Sequence, residues 1–143
     1  MKEKLTGWLI GSGRDLLKQV EVEVENGHAL YGMREQLGIS EVGGLVDHLA
    51  DVVKDGEDVW CAEDAYDVYS AAAKNDNYYP VVKFEDDSGN VLASVFGFAL
   101  LLGYTEDGDT CSSTLTFEEV DSLLSLGRIK VYEIPVDVMR KYL

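Results

Sequence analysis

The stretch YPVVKFEDDSGNVLASVFGFALLLGY, Tyr79–Tyr104, decides the fold class. Tyr79 to Glu85 and Asn90 to Ser94 carry the β-branched and aromatic residues of strands, and the polar turn Asp86-Asp87-Ser88-Gly89 lies between them. Phe96 to Tyr104 is apolar almost without a break, the pattern of a third and more buried strand. These three are read as the centre of one sheet.

Upstream, Leu5 to Ile10 reads as a short strand, and Val20 to Glu25 alternates apolar and acidic residues with the period of a half-buried strand. The two form a hairpin across Gly11-Ser12-Gly13-Arg14, and Asn26-Gly27 ends the second. Leu30, Met33 and Leu37 recur at helical spacing, predicting a helix over 28–37 that stops at Gly38. Ser40 is a candidate N-cap for a second helix, with the stripe Val42, Leu45, Val46, Leu49, Val52 and Val53 ending near Gly56, although Gly43 and Gly44 weaken its first turn. Val59-Trp60-Cys61 is a brief strand, and Tyr66, Tyr69, Ala72 and Ala73 mark a helix over 63–74.

Downstream, Thr116 and Glu119 have the S/T-x-x-E spacing of a capping box, in which hydroxyl and carboxylate satisfy each other's backbone donors. Phe117, Val120, Leu123 and Leu124 follow at helical spacing. Gly127 closes that helix, and Ile129 to Ile134 alternates into a strand ended by Pro135. The expected fold is α+β, a mainly antiparallel sheet with three to four helices packed on it, in a single domain over 1–143.

With 46% hydrophobic residues in 143, the chain can bury a real core. Its formal charge of −15, from 27 Asp and Glu against 12 Lys and Arg, repels phosphate backbones and anionic membranes, which argues against direct nucleic-acid binding. The apolar stretch near the N-terminus is interrupted by Gly11, Ser12 and Gly13, and the run Val95 to Tyr104 is about half of what spans a bilayer. No export signal and no membrane are therefore expected. Cys61 and Cys111 read as free thiols in a reducing cytoplasm.

The residues that could carry chemistry are few. Cys61, Cys111, His28 and His48 contain no C-x-x-C or H-x-x-x-H unit, so no metal site and no cofactor are expected. The segments beginning at Asp86 and at Glu106-Asp107-Gly108-Asp109 resemble the start of an EF-hand, but the twelfth position from Asp86 is Gly97, where a closing carboxylate is required. Gly11-Ser12-Gly13 lacks the third glycine of a dinucleotide fingerprint, position 16 being Leu, and no Walker lysine follows. His28 and His48 fall on predicted helices as packed or boundary residues, so no catalytic residue is assigned.

The acidic residues are more distinctive. On the predicted helix after Ser40, Asp47, Asp51 and Asp55 fall at i, i+4 and i+8, carboxylates about 6 Å apart along one side. Glu57, Asp58, Glu63, Asp64 and Asp67 continue the charge. Such a row imitates a nucleic-acid backbone toward a basic groove, with Tyr66, Tyr69, Tyr78 and Tyr79 as rigid anchors.

Val95 to Leu124, with Phe96-Gly97-Phe98-Ala99-Leu100, an acidic turn and Leu115-Thr116-Phe117-Glu118-Glu119, resembles the ending of a family of small acidic proteins carried by phages and conjugative elements. In that family a glycine opens an apolar strand and a Leu-Thr motif opens the following helix. The resemblance implies a phage or mobile-element origin and no catalytic residues. Leu115 to Ile134 is also similar to the C-terminal helix and strand of viral ring nucleases, without their active-site motif.

The function expected from these readings is that of a non-enzymatic acidic interaction protein, a nucleic-acid mimic that blocks a basic host defence or DNA- or RNA-handling protein. Asp47, Asp51, Asp55, Asp64, Asp67, Tyr66 and Tyr69 are its candidate contacts. The alternatives are a small-molecule or cyclic-nucleotide protein, enzymatic or not, binding at Arg14 and Tyr104, and a structural or assembly subunit.

Overall fold

A computed structural model describes residues 3–12, 15–75 and 78–142, and strand outweighs helix among them. In chain order the elements are β1 (Glu3–Ser12), β2 (Asp15–Val24), α1 (Leu30–Gln36), β3 (Val46–Ala50), β4 (Glu57–Ala62), α2 (Ala65–Asn75) and β5 (Tyr78–Glu85). They continue with β6 (Val91–Phe96), β7 (Ala99–Tyr104), β8 (Thr110–Cys111), α3 (Phe117–Ser125), β9 (Ile129–Pro135) and α4 (Val136–Met139). The fold is mixed α and β, and every strand pairing is antiparallel.

The strands make two sheets where one was expected. The first runs β2-β1-β7-β4-β3, with β8 pairing β7, and the second runs β6-β5-β9. The division falls at Gly97, inside the apolar run read as one strand. Gly97 has φ +98°, and a Cβ there would lie 2.8 Å from a Val68 methyl. A chain that bends this way against α2 leaves one sheet and begins the next strand in another. Ala99–Gly103 is fully buried because β7 is covered on both faces, hence its unbroken apolar sequence.

One face of the first sheet presents Leu9, Val20, Val22, Leu100 and Leu102 to Met33, Leu37, Ile39 and Val68. The other presents Trp8, Ile10, Val59, Ala99 and Leu101 to Val82, Phe84 and Val95 of the second sheet and to Val120 of α3. The predicted hairpin forms with longer strands, from Glu3↔Val24 to Ser12↔Asp15. The predicted helices near 28–37, 63–74 and 117–125 and the last strand are present within a few residues. The capping box is complete: the Glu119 N–H donates to the Thr116 hydroxyl and the Thr116 N–H to the Glu119 carboxylate.

The helix expected after Ser40 does not form. Residues 40–43 turn, with Gly43 at φ +69°, and β3 then pairs with β4 from Val46↔Ala62 to Ala50↔Asp58. Two adjacent glycines remove the first helical turn, and the edge of the first sheet offers Val46–Ala50 a partner that an isolated helix lacks. Val52 and Val53 still reach the core, from the loop that follows β3.

Candidate interaction surface

Because Glu57 pairs with Gly103 and Val59 with Leu101, the turn after β3 and the turn after β7 emerge at the same end of the first sheet. They are joined there directly. The Tyr104 N–H donates to the Gly56 carbonyl at 3.0 Å, and the Tyr104 hydroxyl donates to the Asp51 carboxylate at 2.5 Å. Asp51 sits at φ +59°, a conformation Asp tolerates better than most residues, and also accepts from the Gly56 N–H at 3.0 Å. The tyrosine hydroxyl, followed by the Gly56 N–H, holds the Asp51 carboxyl below its ordinary pKa. The same hydrogen bond raises the phenol of Tyr104.

Around this junction Asp51, Asp55, Glu106, Asp107 and Asp109 are all exposed, and among the described residues none of the five pairs with a lysine or arginine. Lys54 is the one cation in either turn, and it leans away to Glu119 of α3 at 3.9 Å. From Lys83 to Arg128 the chain has no basic residue in between, so Glu106, Asp107 and Asp109 have no cation near them in sequence.

The remaining candidate contacts lie elsewhere. Asp47 opposes Cys61 on the edge of the sheet, and Asp64 follows Ala62, the end of β4 away from Asp51. Asp64 accepts from the Tyr66 N–H and so caps the start of α2, where Asp67 is half-buried. Tyr66 is exposed and its ring lies 6.0 Å from that of Tyr69, whose hydroxyl accepts from Arg140 at 2.9 Å. The helical row of Asp47, Asp51 and Asp55 is therefore replaced by one strand residue and two turn residues, and the seven contacts divide between two ends of the sheet.

Of the two residues of the ligand reading, Arg14 lies outside the described residues. Tyr104 ends β7 and is held by Asp51. Neither histidine is helical. His28 makes a backbone bridge with Glu25, and His48 is on β3 with its ring 4.7 Å from that of Trp60. Asp86 accepts from the Ser88 and Asn90 backbone N–H groups, the bonding of a tight polar turn. Burial, with Asp47 nearby, pushes the Cys61 thiol up to about 11, and burial also raises Cys111. Among the described residues no group of three His, Cys, Asp or Glu side chains is placed to hold a metal, and no helix is long and apolar enough to cross a membrane.

Glu57 and Asp58, counted with the acidic surface on sequence grounds, are instead buried, at 1% and 6% exposure. Glu57 accepts from the Ser113 hydroxyl, from the Thr114 N–H at 3.1 Å and from the Thr114 hydroxyl at 3.2 Å, which pins the segment leading into α3. Asp58 points to the opposite face, where desolvation raises its pKa against the opposing pull of His48, with Asp51 and Glu57 adding to the rise. Nothing in the local pattern signalled this, since two acidic residues precede four apolar ones without alternation and the first three positions of β4 are all buried.

No protein-family model, curated protein or solved structure matches the chain.

Proposed function

We propose that this chain is a non-enzymatic acidic interaction protein that binds the basic surface of a macromolecular partner in place of nucleic acid. The observation that carries this reading is the junction of the two turns, where Asp51, Asp55, Glu106, Asp107 and Asp109 are exposed without a cationic partner among the described residues. Asp51 also ties the two turns together, but carboxylates gathered without a cation repel one another, whereas a basic groove gains both attraction and faster association from them. Asp47, Asp64 and Asp67 form a lesser acidic region at the other end of the sheet, with Tyr66 exposed beside it as an aromatic anchor. The resemblance of Val95–Leu124 to proteins of phages and conjugative elements makes a host defence or DNA- or RNA-handling protein the fitting partner.

The test is displacement of a labelled oligonucleotide from a panel of basic DNA- and RNA-binding proteins, at low and at physiological salt. Displacement that weakens with salt, and that is lost when Asp51, Asp55, Asp107 and Asp109 become Asn and Glu106 becomes Gln, is expected. Displacement of none of them, or an unaffected neutralised variant, overturns the reading.

A further inference from the structure

Two acidic residues of β4 are buried, and only one of them is provided for. Glu57 has its donors on Ser113 and Thr114. Asp58, at 6% exposure, accepts no hydrogen bond and joins no ion pair among the described residues. A carboxylate buried in this way weakens the fold, so folding gives no reason for an acid at position 58. The side-chain polar atoms that are sealed from solvent without a partner, among the described residues, are Arg34 Nε and Trp60 Nε1. The Asp58 oxygens are not among them and so keep a narrow contact with solvent.

Strand register shows where Asp58 faces. It stands opposite Leu102 of β7 and Ala50 of β3, and Tyr104 comes two residues after Leu102, on the same side of the sheet. The half-buried Tyr104 holds Asp51, the residue after Ala50, on its hydroxyl. Burial is the largest cause of the raised Asp58 pKa, and the charges that act on it are His48, Asp51 and Glu57. Glu57 is turned to the other face. His48, the only one of the three that can be positive, has its ring 4.7 Å from that of Trp60 and makes no ion pair with Asp58. Asp58 therefore adds a buried, unanswered negative charge to the same end of the sheet as the exposed acidic junction.

We infer that Asp58, Asp51 and Tyr104 seat a single arginine side chain of the protein partner, its guanidinium set between the two carboxylates and beside the phenol ring. This deepens the proposed function and rests on it: the exposed carboxylates draw a basic surface in, and Asp58 gives one of its side chains a desolvated anchor. Guanidinium fits better than ammonium because it is planar, more weakly hydrated and able to donate to two carboxylates at once.

Two labelled synthetic peptides of equal length and charge serve as probes, one with arginines and the other with lysine at every arginine position. The arginine peptide is expected to bind about tenfold more tightly, and Asp58→Asn to remove that advantage. Asp109→Asn, which takes the same charge from the exposed rim, should weaken both peptides alike, by no more than about threefold. Removing an unpartnered buried charge does not harm folding, which the melting temperature of Asp58→Asn checks, so its lost binding reports the lost carboxylate. In the parent protein the Asp58 carboxyl, followed by carboxyl-carbon NMR, should titrate at lower pH with the arginine peptide bound. Equal affinity for the two peptides, an advantage that survives Asp58→Asn, or an Asp58 titration unmoved by saturating arginine peptide overturns the anchor and leaves the acidic surface standing. Binding of neither peptide overturns both.

Discussion

Removing the Glu57 carboxylate is expected to cost far more than its acidic neighbours would suggest. The segment 112–115 is stitched to the sheet at several points: the Thr6 N–H donates to the Ser112 hydroxyl at 2.9 Å, the Ser113 N–H to the Thr6 carbonyl at 2.9 Å, and the Trp8 indole N–H to the Leu115 carbonyl at 2.9 Å. Glu57 closes this set from beneath with three acceptor contacts. Hydrogen bonds to a charged group contribute about 1.5–3 kcal/mol each, and a buried donor left without a partner costs about 1–3 kcal/mol. The Thr114 hydroxyl can turn to water, so the loss falls mainly on the Ser113 hydroxyl and the Thr114 N–H. Glu57→Ala should therefore destabilise by roughly 3–5 kcal/mol, a large part of the about 5–15 kcal/mol typical of a domain. Glu57→Gln keeps the shape and one acceptor and should cost about 1–2 kcal/mol. Urea unfolding followed by circular dichroism and by tryptophan fluorescence measures both. Amide exchange should also show protection lost at residues 113–115 in Glu57→Ala before the rest of the sheet opens. A Glu57→Ala protein within about 0.5 kcal/mol of the parent would refute the reasoning, because surface substitutions behave that way.

Gly32→Ala should destabilise by about 1–3 kcal/mol, since the added Cβ would lie 2.5 Å from the Glu23 carbonyl oxygen and 2.7 Å from its nitrogen, both backbone atoms. Helix propensity alone favours Ala here by about 1 kcal/mol, so a raised melting temperature would show that α1 shifts at little cost. Asp58 has a folded pKa above its unfolded one, so the native state binds the extra proton between the two values and stability falls as pH rises through that window. Asp58→Asn should remove this decline and be the more stable protein at neutral pH, which unfolding measured from mildly acid to neutral pH checks; parallel curves for the two proteins would contradict the assignment. With its thiol at about 11, Cys61 in a Cys111→Ser protein should react with a disulfide reagent at pH 8 on the order of a hundredfold more slowly than a free thiol, until denaturant exposes it. A native-state rate equal to that of the unfolded chain would show the thiol is not desolvated.

Local chemistry was legible wherever a few neighbouring residues settle the outcome by themselves. The alternation in Val20–Glu25 marks a half-buried strand, Thr116 and Glu119 satisfy each other's backbone whatever surrounds them, and Asp86 closes its turn with donors two and four residues on. The segment from Ser40 to Gly56 was different, because its apolar residues fit a helical stripe about as well as they fit a strand and a following loop. Pairing with Asp58–Ala62 decided it, and that partner becomes adjacent only after the chain has folded. The division into two sheets likewise depends on Val68 meeting Gly97. Charge could be counted from composition, but its distribution could not. Antiparallel register carries Glu57 and Asp58 inward, brings Asp51 to Tyr104 and sets Asp64 at the far end of the sheet. Sequence alone thus determined which short segments could be strands, turns and capped helices, and tertiary structure decided which carboxylates meet solvent together, because burial and pairing are set by contacts between residues far apart in the chain.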